Sequence, residues 1–132
     1  MSDVRRWFAA AALLVAVACS DPPLQLANIQ IGRALNPDRS IASITTLFKP
    51  SETIYVSVQT TAAGKGTVSV KWKYGSQVID EPSKQVSYDG PASTEFHMQN
   101  SGGFPPGDYS VDVFIDGTQV GSRAFKVDRY YE

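Results

Sequence analysis

A chain of 132 residues has room for one domain and can bury enough apolar area to fold unaided. Its 12 Lys and Arg stand against 13 Asp and Glu, and the charges are scattered rather than blocked, which excludes the electrostatic footprint of a nucleic-acid binder. One histidine and one cysteine cannot supply the usual ligands of a zinc site, so neither metal nor cofactor is expected.

The first element in chain order is a leader. Arg5 and Arg6 form a positive start, and Trp7 to Ala18 is an uncharged apolar run of 12 residues. That run is too short to cross roughly 30 Å of hydrocarbon as a helix, so residues 1–18 read as a signal peptide. Its end, Val15-Ala16-Val17-Ala18-Cys19, resembles the lipobox of bacterial lipoproteins, in which small residues precede a cysteine that is acylated and becomes the new N-terminus. Ala16-Val17-Ala18 also satisfies the small-residue rule for ordinary secretory cleavage, and both routes stay open at this point. Lipidation accounts for a lone thiol in an exported chain, where a free one is a liability. Each buried methylene contributes about 0.8 kcal/mol, so several acyl chains on Cys19 make a stable membrane anchor. Ser20 rather than Asp follows the cysteine, which in the resembled lipoproteins favours the outer membrane, facing the periplasm. Losing Arg5, Arg6 and Asp3 leaves 10 basic and 12 acidic residues, a charge of -2 on the mature part. Residues 19–23, the lipidated cysteine and Ser20-Asp21-Pro22-Pro23, read as an extended tether of about 15 Å.

From Leu24 to Asp128 the chain reads as all-β, with apolar residues alternating at period two. A strand from Leu26 to Ile31 is followed by a turn at Asn36-Pro37-Asp38-Arg39 and a short strand around Ile44 to Phe48. Ile54, Val56 and Val58 alternate with Tyr55, Ser57 and Gln59, and Val68, Val70, Trp72 and Tyr74 with Ser69, Lys71 and Lys73; each set predicts one wet face. A short strand spans Val78 to Asp80, Glu81-Pro82-Ser83 breaks it, and Gln85 to Tyr88 resumes. Thr94, Phe96 and Met98 point inward, and Asn100 to Gly107 is an irregular loop. Tyr109, Val111, Val113 and Ile115 face the core, Asp116-Gly117 closes a type I′ hairpin, and the return strand runs from Thr118 to Val127. Val120 falls on the opposite parity from Phe125 and Val127, which predicts a bulge near Gly121 or Ser122. Residues 129–132 read as a frayed tail.

About 7–9 short strands separated by turns predict an antiparallel sandwich. Trp72 stands where immunoglobulin-like domains keep a core tryptophan, and Gly107-Asp108-Tyr109-Ser110-Val111 resembles the tyrosine corner, with Val111 in place of a cysteine. Trp72, Phe96, Tyr109 and Val111 are the expected core markers. Phe48-Lys49-Pro50-Ser51-Glu52-Thr53-Ile54-Tyr55, Lys71-Trp72, Thr94-Glu95-Phe96, Phe104-Pro105-Pro106-Gly107-Asp108-Tyr109 and Phe125-Lys126-Val127 occur in that order. Together they resemble the immunoglobulin-like domain of small bacterial lipoproteins over most of residues 27–127. The resemblance implies a fold and a location and brings no catalytic residues.

His97 alternates outward beside Glu95 on a flat strand, which offers no pocket for a nucleophilic triad. Asp38, Asp89, Asp108 and Asp116 are placed in loops without the spacing of a calcium loop. Lys71, Lys73, Asp112 and Phe114 share the outer face of one sheet, as ordinary cross-strand pairing or as a protein-binding surface. Tyr55, Tyr88 and Phe104 form the candidate aromatic platform of a carbohydrate-binding module, which needs coplanar exposed rings. The expectation is a non-enzymatic, lipid-anchored envelope module that binds a protein partner, with a carbohydrate-binding module as the alternative. Oligomeric state has no signature in the sequence.

Overall fold

The computed structural model describes residues 22–130. The leader, Cys19 and the last two residues lie outside that range.

Alternation decides the strands. Leu26–Gly32 is β1, Leu47–Phe48 is β2 and Ile54–Thr60 is β3. The longest, Gly64–Tyr74, is β4; Gln77–Asp80 is β5, Ser83–Tyr88 is β6 and Ala92–Met98 is β7. Gly107–Ile115 is β8 and Thr118–Val127 is β9. These nine strands form an immunoglobulin-like sandwich, with no helix among the described residues. One sheet has the order β1-β3-β7; the other runs β2-β9-β8-β4-β5, with β6 also paired to β4. All pairings are antiparallel except β2 with β9.

The inner faces meet in one core. Val56 and Val58 of β3 lie opposite Val68, Val70 and Trp72 of β4 and Val111 and Val113 of β8, and all seven are sealed from solvent. Burying each such side chain contributes about 1.5–3 kcal/mol, and aliphatic packing occupies the space where antibody domains place a disulfide. Phe125 is the hub: its ring stacks on Tyr109 at 5.4 Å and meets Phe48 and Trp72 edge-on at 5.6 Å and 6.1 Å. Phe96 is buried in the same cluster. On one side of the sandwich, Arg123 Nε donates to Ile29 O and ties β9 to the edge of β1.

The tyrosine corner forms, and it is doubled. Tyr109 Oη donates to Pro105 O at 2.6 Å and Tyr74 Oη to Pro106 O at 2.9 Å, so two phenols hold the loop before β8. Gly107 is needed between them, because at φ 146° a Cβ would come within 2.9 Å of the Tyr74 ring. The expected turn at Asp116-Gly117 has both residues at positive φ, 50° and 84°. Asp116 Oδ1 also accepts from Thr67 N at 2.9 Å, pinning the hairpin to β4.

Several expectations are corrected. The bulge in β9 falls at Val120, where the register steps from Gln119 to Gly121. Gly121 itself is kept in register, and its missing side chain makes room for Ile29. Only Leu47–Phe48 of the segment 44–48 is a strand; Ile44 makes a single bridge to Gly32 and is exposed. Ser57 is buried rather than wet. It lies in register between Gln30 and Glu95, whose longer side chains flank it. Asp108 belongs to β8, opposite Lys126, rather than to a loop. The segment after β1 folds back as a hairpin around the turn at Asn36, where Asn36 O accepts from Arg39 N and Asn36 N donates to Ser40 O. Ile41 N donates to Gln30 Oε1, which lays this hairpin over the outer face of the smaller sheet.

The folded part also begins before Leu24. Lys65 N donates to Pro22 O, Pro23 bridges to Lys65 in parallel, and Leu24 is buried in the core. Pro22 and Pro23 therefore belong to the folded domain.

Candidate functional site

The outer face of the larger sheet brings together the four residues expected there. Lys71 is in register with Asp112, Lys73 with Ser110 and Ser69 with Phe114. Both lysines reach diagonally rather than straight across. Lys73 Nζ lies 2.6 Å from Asp112 Oδ2, and Lys71 Nζ sits 5.2 Å from the centre of the Phe114 ring. The two diagonals run the same way, as the twist of paired strands requires.

Asp112 is the fixed point of this array. It is only 7% exposed although it points away from the core. Burial alone pushes its carboxyl up, but hydrogen bonds from Lys73 and from Ser122 Oγ, with the charges of Lys73 and Lys71, outweigh that and hold it below the usual carboxylate range. Ser122 is the member that sequence reading missed, since its place opposite Asp112 depends on the bulge at Val120. Beside Phe114 a shallow recess of about 250 Å³ opens between Ser69, Lys71 and Glu81. The geometry suits contact with a surface that carries both charge and apolar area.

The proposed aromatic platform is not assembled. Phe104 is buried, meeting Tyr109 edge-on at 6.2 Å, because Phe104 N donates to Pro50 O and draws the loop inward. Tyr88 is half-buried at the edge of β6, its hydroxyl bonded to that of Thr94. Tyr55 lies on the outer face of the smaller sheet against the His97 ring, 5.4 Å away. Three rings on three surfaces cannot stack one ligand. His97 Nδ1 is 2.6 Å from Glu95 Oε2; its partners are a carboxylate and a phenol ring, not a serine.

A second concavity was not legible in the sequence. The tip of the folded-back hairpin, Asp38-Arg39, overhangs Gln59, Thr60, Tyr88 and Ser93 and encloses an open cleft of about 660 Å³. Arg39 adopts φ 73°, an uncommon conformation for a residue with a side chain. The signal was present only as the turn at Asn36-Pro37-Asp38-Arg39; that the hairpin would double back on the sheet was not. Β5 adds an edge with Val78 and Ile79 about 40% exposed, blunted by the break at Glu81-Pro82.

Comparison with known proteins gives the fold. An immunoglobulin-like protein from Pseudomonas aeruginosa superposes with a TM-score of 0.55 at 14% identity, over 81% of this chain and 98% of that one. A cycloisomaltooligosaccharide glucanotransferase from Paenibacillus sp., solved with cycloisomaltoheptaose, superposes with a TM-score of 0.53 at 15% identity. That match covers 79% of this chain but only 14% of the glucanotransferase. No family model and no curated protein sequence matches the chain.

Proposed function

We propose that this protein is a non-enzymatic, lipid-anchored binding module of a bacterial cell envelope, held at the outer membrane through Cys19 and facing the periplasm. Its partner is an envelope protein that docks on the outer face of the larger sheet. The observation that carries this reading is the array on that face: a nearly buried Asp112 fixes Lys73, while Lys71 and Phe114 pair beside it. Such a face presents ordered side chains, which lowers the entropy lost on docking. The match in fold to an immunoglobulin-like protein, over 81% of this chain, is consistent with a binding module. The anchor raises the local concentration of the module at the membrane, so a weak face suffices.

The test is cross-linking in intact cells, with a photoreactive amino acid in place of Phe114 and, as control, of Thr118. A single defined envelope protein captured from position 114 and not from 118 supports the reading. Identical products from both positions contradict it.

A second reading, carbohydrate binding, draws on the cleft beside Tyr88 and Arg39, and on the kinship in fold with a domain of an enzyme solved with a cyclic oligosaccharide. It no longer rests on Tyr55 and Phe104. A glycan array probed with the soluble domain decides it: binding lost in Tyr88→Ala supports this reading, and an array without hits removes it.

A further inference from the structure

The two ends of the sandwich are not equivalent with respect to the anchor. At one end lie the start of β4, the loop through Thr61 and Ala62, the loop Asp89-Gly90-Pro91 and the Asp116-Gly117 hairpin. At the other lie the turn Gly75-Ser76 and the loop Asn100 to Pro106. Pro22 and Pro23 are fixed at the first end: Pro22 O accepts from Lys65 N, Pro23 bridges Lys65, and Leu24 is sealed in the core. Gly64 leaves no room for a side chain there, since a Cβ would fall 2.9 Å from Pro22 O and 3.0 Å from Pro23 O. The lead is thus packed against backbone, not laid loosely on the surface.

Cys19 precedes Pro22 by three residues, so even a fully extended chain places its Cα within about 11 Å of Pro22. Strand β4 is 11 residues long and carries the chain about 33 Å from that end to the other. The anchor therefore cannot reach the far end of the domain. We infer that the end bearing Ala62, Asp89 and Gly117 lies against the lipid bilayer, with the strands standing away from it and the Ser76 and Ser101 loops pointing outward. This rests on the reading of Cys19 as the lipidated residue. It sets the outer sheet face of Lys71, Lys73, Asp112 and Phe114 on the flank of the standing domain, open to a partner anchored in the same membrane. The cleft beneath Arg39 opens close to the bilayer, since its walls Thr60, Thr61 and Pro91 are at the anchored end.

The test uses the full-length protein purified from bacterial membranes and placed in phosphatidylcholine vesicles. Cys19 is the sole cysteine, so when it is acylated a new thiol is the only labelling site. Ala62→Cys, Asp89→Cys, Ser76→Cys and Ser101→Cys, all at exposed positions, are labelled with one fluorophore each. The vesicles carry a lipid with a nitroxide on its headgroup, which quenches only at short range. Most of the fluorescence at Ala62→Cys and Asp89→Cys is lost, while Ser76→Cys and Ser101→Cys match protein in vesicles without nitroxide. A six-residue Gly-Ser insertion after Ser20 reduces the quenching at Ala62→Cys and leaves the far end unquenched. Intact mass of the same preparations separates the two claims. Acylated protein with equal quenching at both ends, none at either, or quenching confined to the far end overturns the orientation alone. An unacylated Cys19 overturns the anchoring, and the orientation with it.

Discussion

Lys73 Nζ lies 2.6 Å from Asp112 Oδ2 although the register places Lys73 opposite Ser110, so the ion pair crosses the ladder on a diagonal. Asp112 also accepts from Ser122 Oγ at 2.9 Å on β9, and one carboxylate thereby links the three central strands of the larger sheet. Removing it in Asp112→Ala leaves two lysines side by side on β4 without its charge and a hydroxyl without its acceptor. The expected cost is about 1–3 kcal/mol in urea denaturation, above the usual value of an exposed pair because Asp112 is nearly buried.

The same carboxylate makes stability depend on acid. Its folded pKa lies below its ordinary value, so its contribution is present above about pH 4 and is lost as pH falls through the folded pKa. Denaturation curves from pH 6 down to pH 3 lose less stability in Asp112→Asn than in the native chain. Equal slopes in the two proteins would show that the pair contributes nothing.

Tyr109 has the opposite dependence. Burial, with the neighbouring Tyr74, pushes its phenol up to about 12. The folded pKa exceeds the unfolded one, so its contribution is complete below about pH 10 and is lost as pH rises toward 12. Tyr109→Phe loses the hydrogen bond to Pro105 O and costs about 0.5–1.5 kcal/mol at neutral pH. Between pH 9 and pH 11.5 the variant has a shallower decline than the native chain, measurable by denaturant titration.

Phe125 touches three aromatic partners in the core, and its removal opens a cavity that none of them can fill without moving. Phe125→Ala is expected to cost about 3–5 kcal/mol, and calorimetry checks it as a large drop in Tm. Phe114→Ala, on the outer face, costs less than about 1 kcal/mol, the value of its contact with Lys71. If Phe114→Ala unfolds the domain instead, that ring is a core residue and the proposed docking face loses its apolar member.

The sequence makes the outer face legible because alternation sets parity, and the large apolar residues Trp72 and Tyr109 tell which parity faces the core. Lys71, Lys73, Asp112 and Phe114 follow from those two facts together with the pairing of β4 and β8. Other features depend on contacts far apart in the chain. Phe104 sits in a loop rich in Gly and Pro, where no period says which way a ring turns; only the bond from its amide to Pro50 O, across the end of the sandwich, carries it inside. Ser57 has the parity of a wet residue and is sealed by what flanks it on β1 and β7. Pro22-Pro23 has the composition of a linker, yet its carbonyl meets an amide on β4 that lies more than 40 residues away. Composition describes a segment's own preferences, and these three positions are decided by neighbours it cannot name.

The most direct measurement is the mass of the amino-terminal peptide from protein isolated out of bacterial membranes. The expected result is a chain that begins at Cys19 and carries a thioether-linked lipid on its sulfur. A chain that begins at Cys19 with a free thiol, or that still carries the leader from Met1, contradicts it.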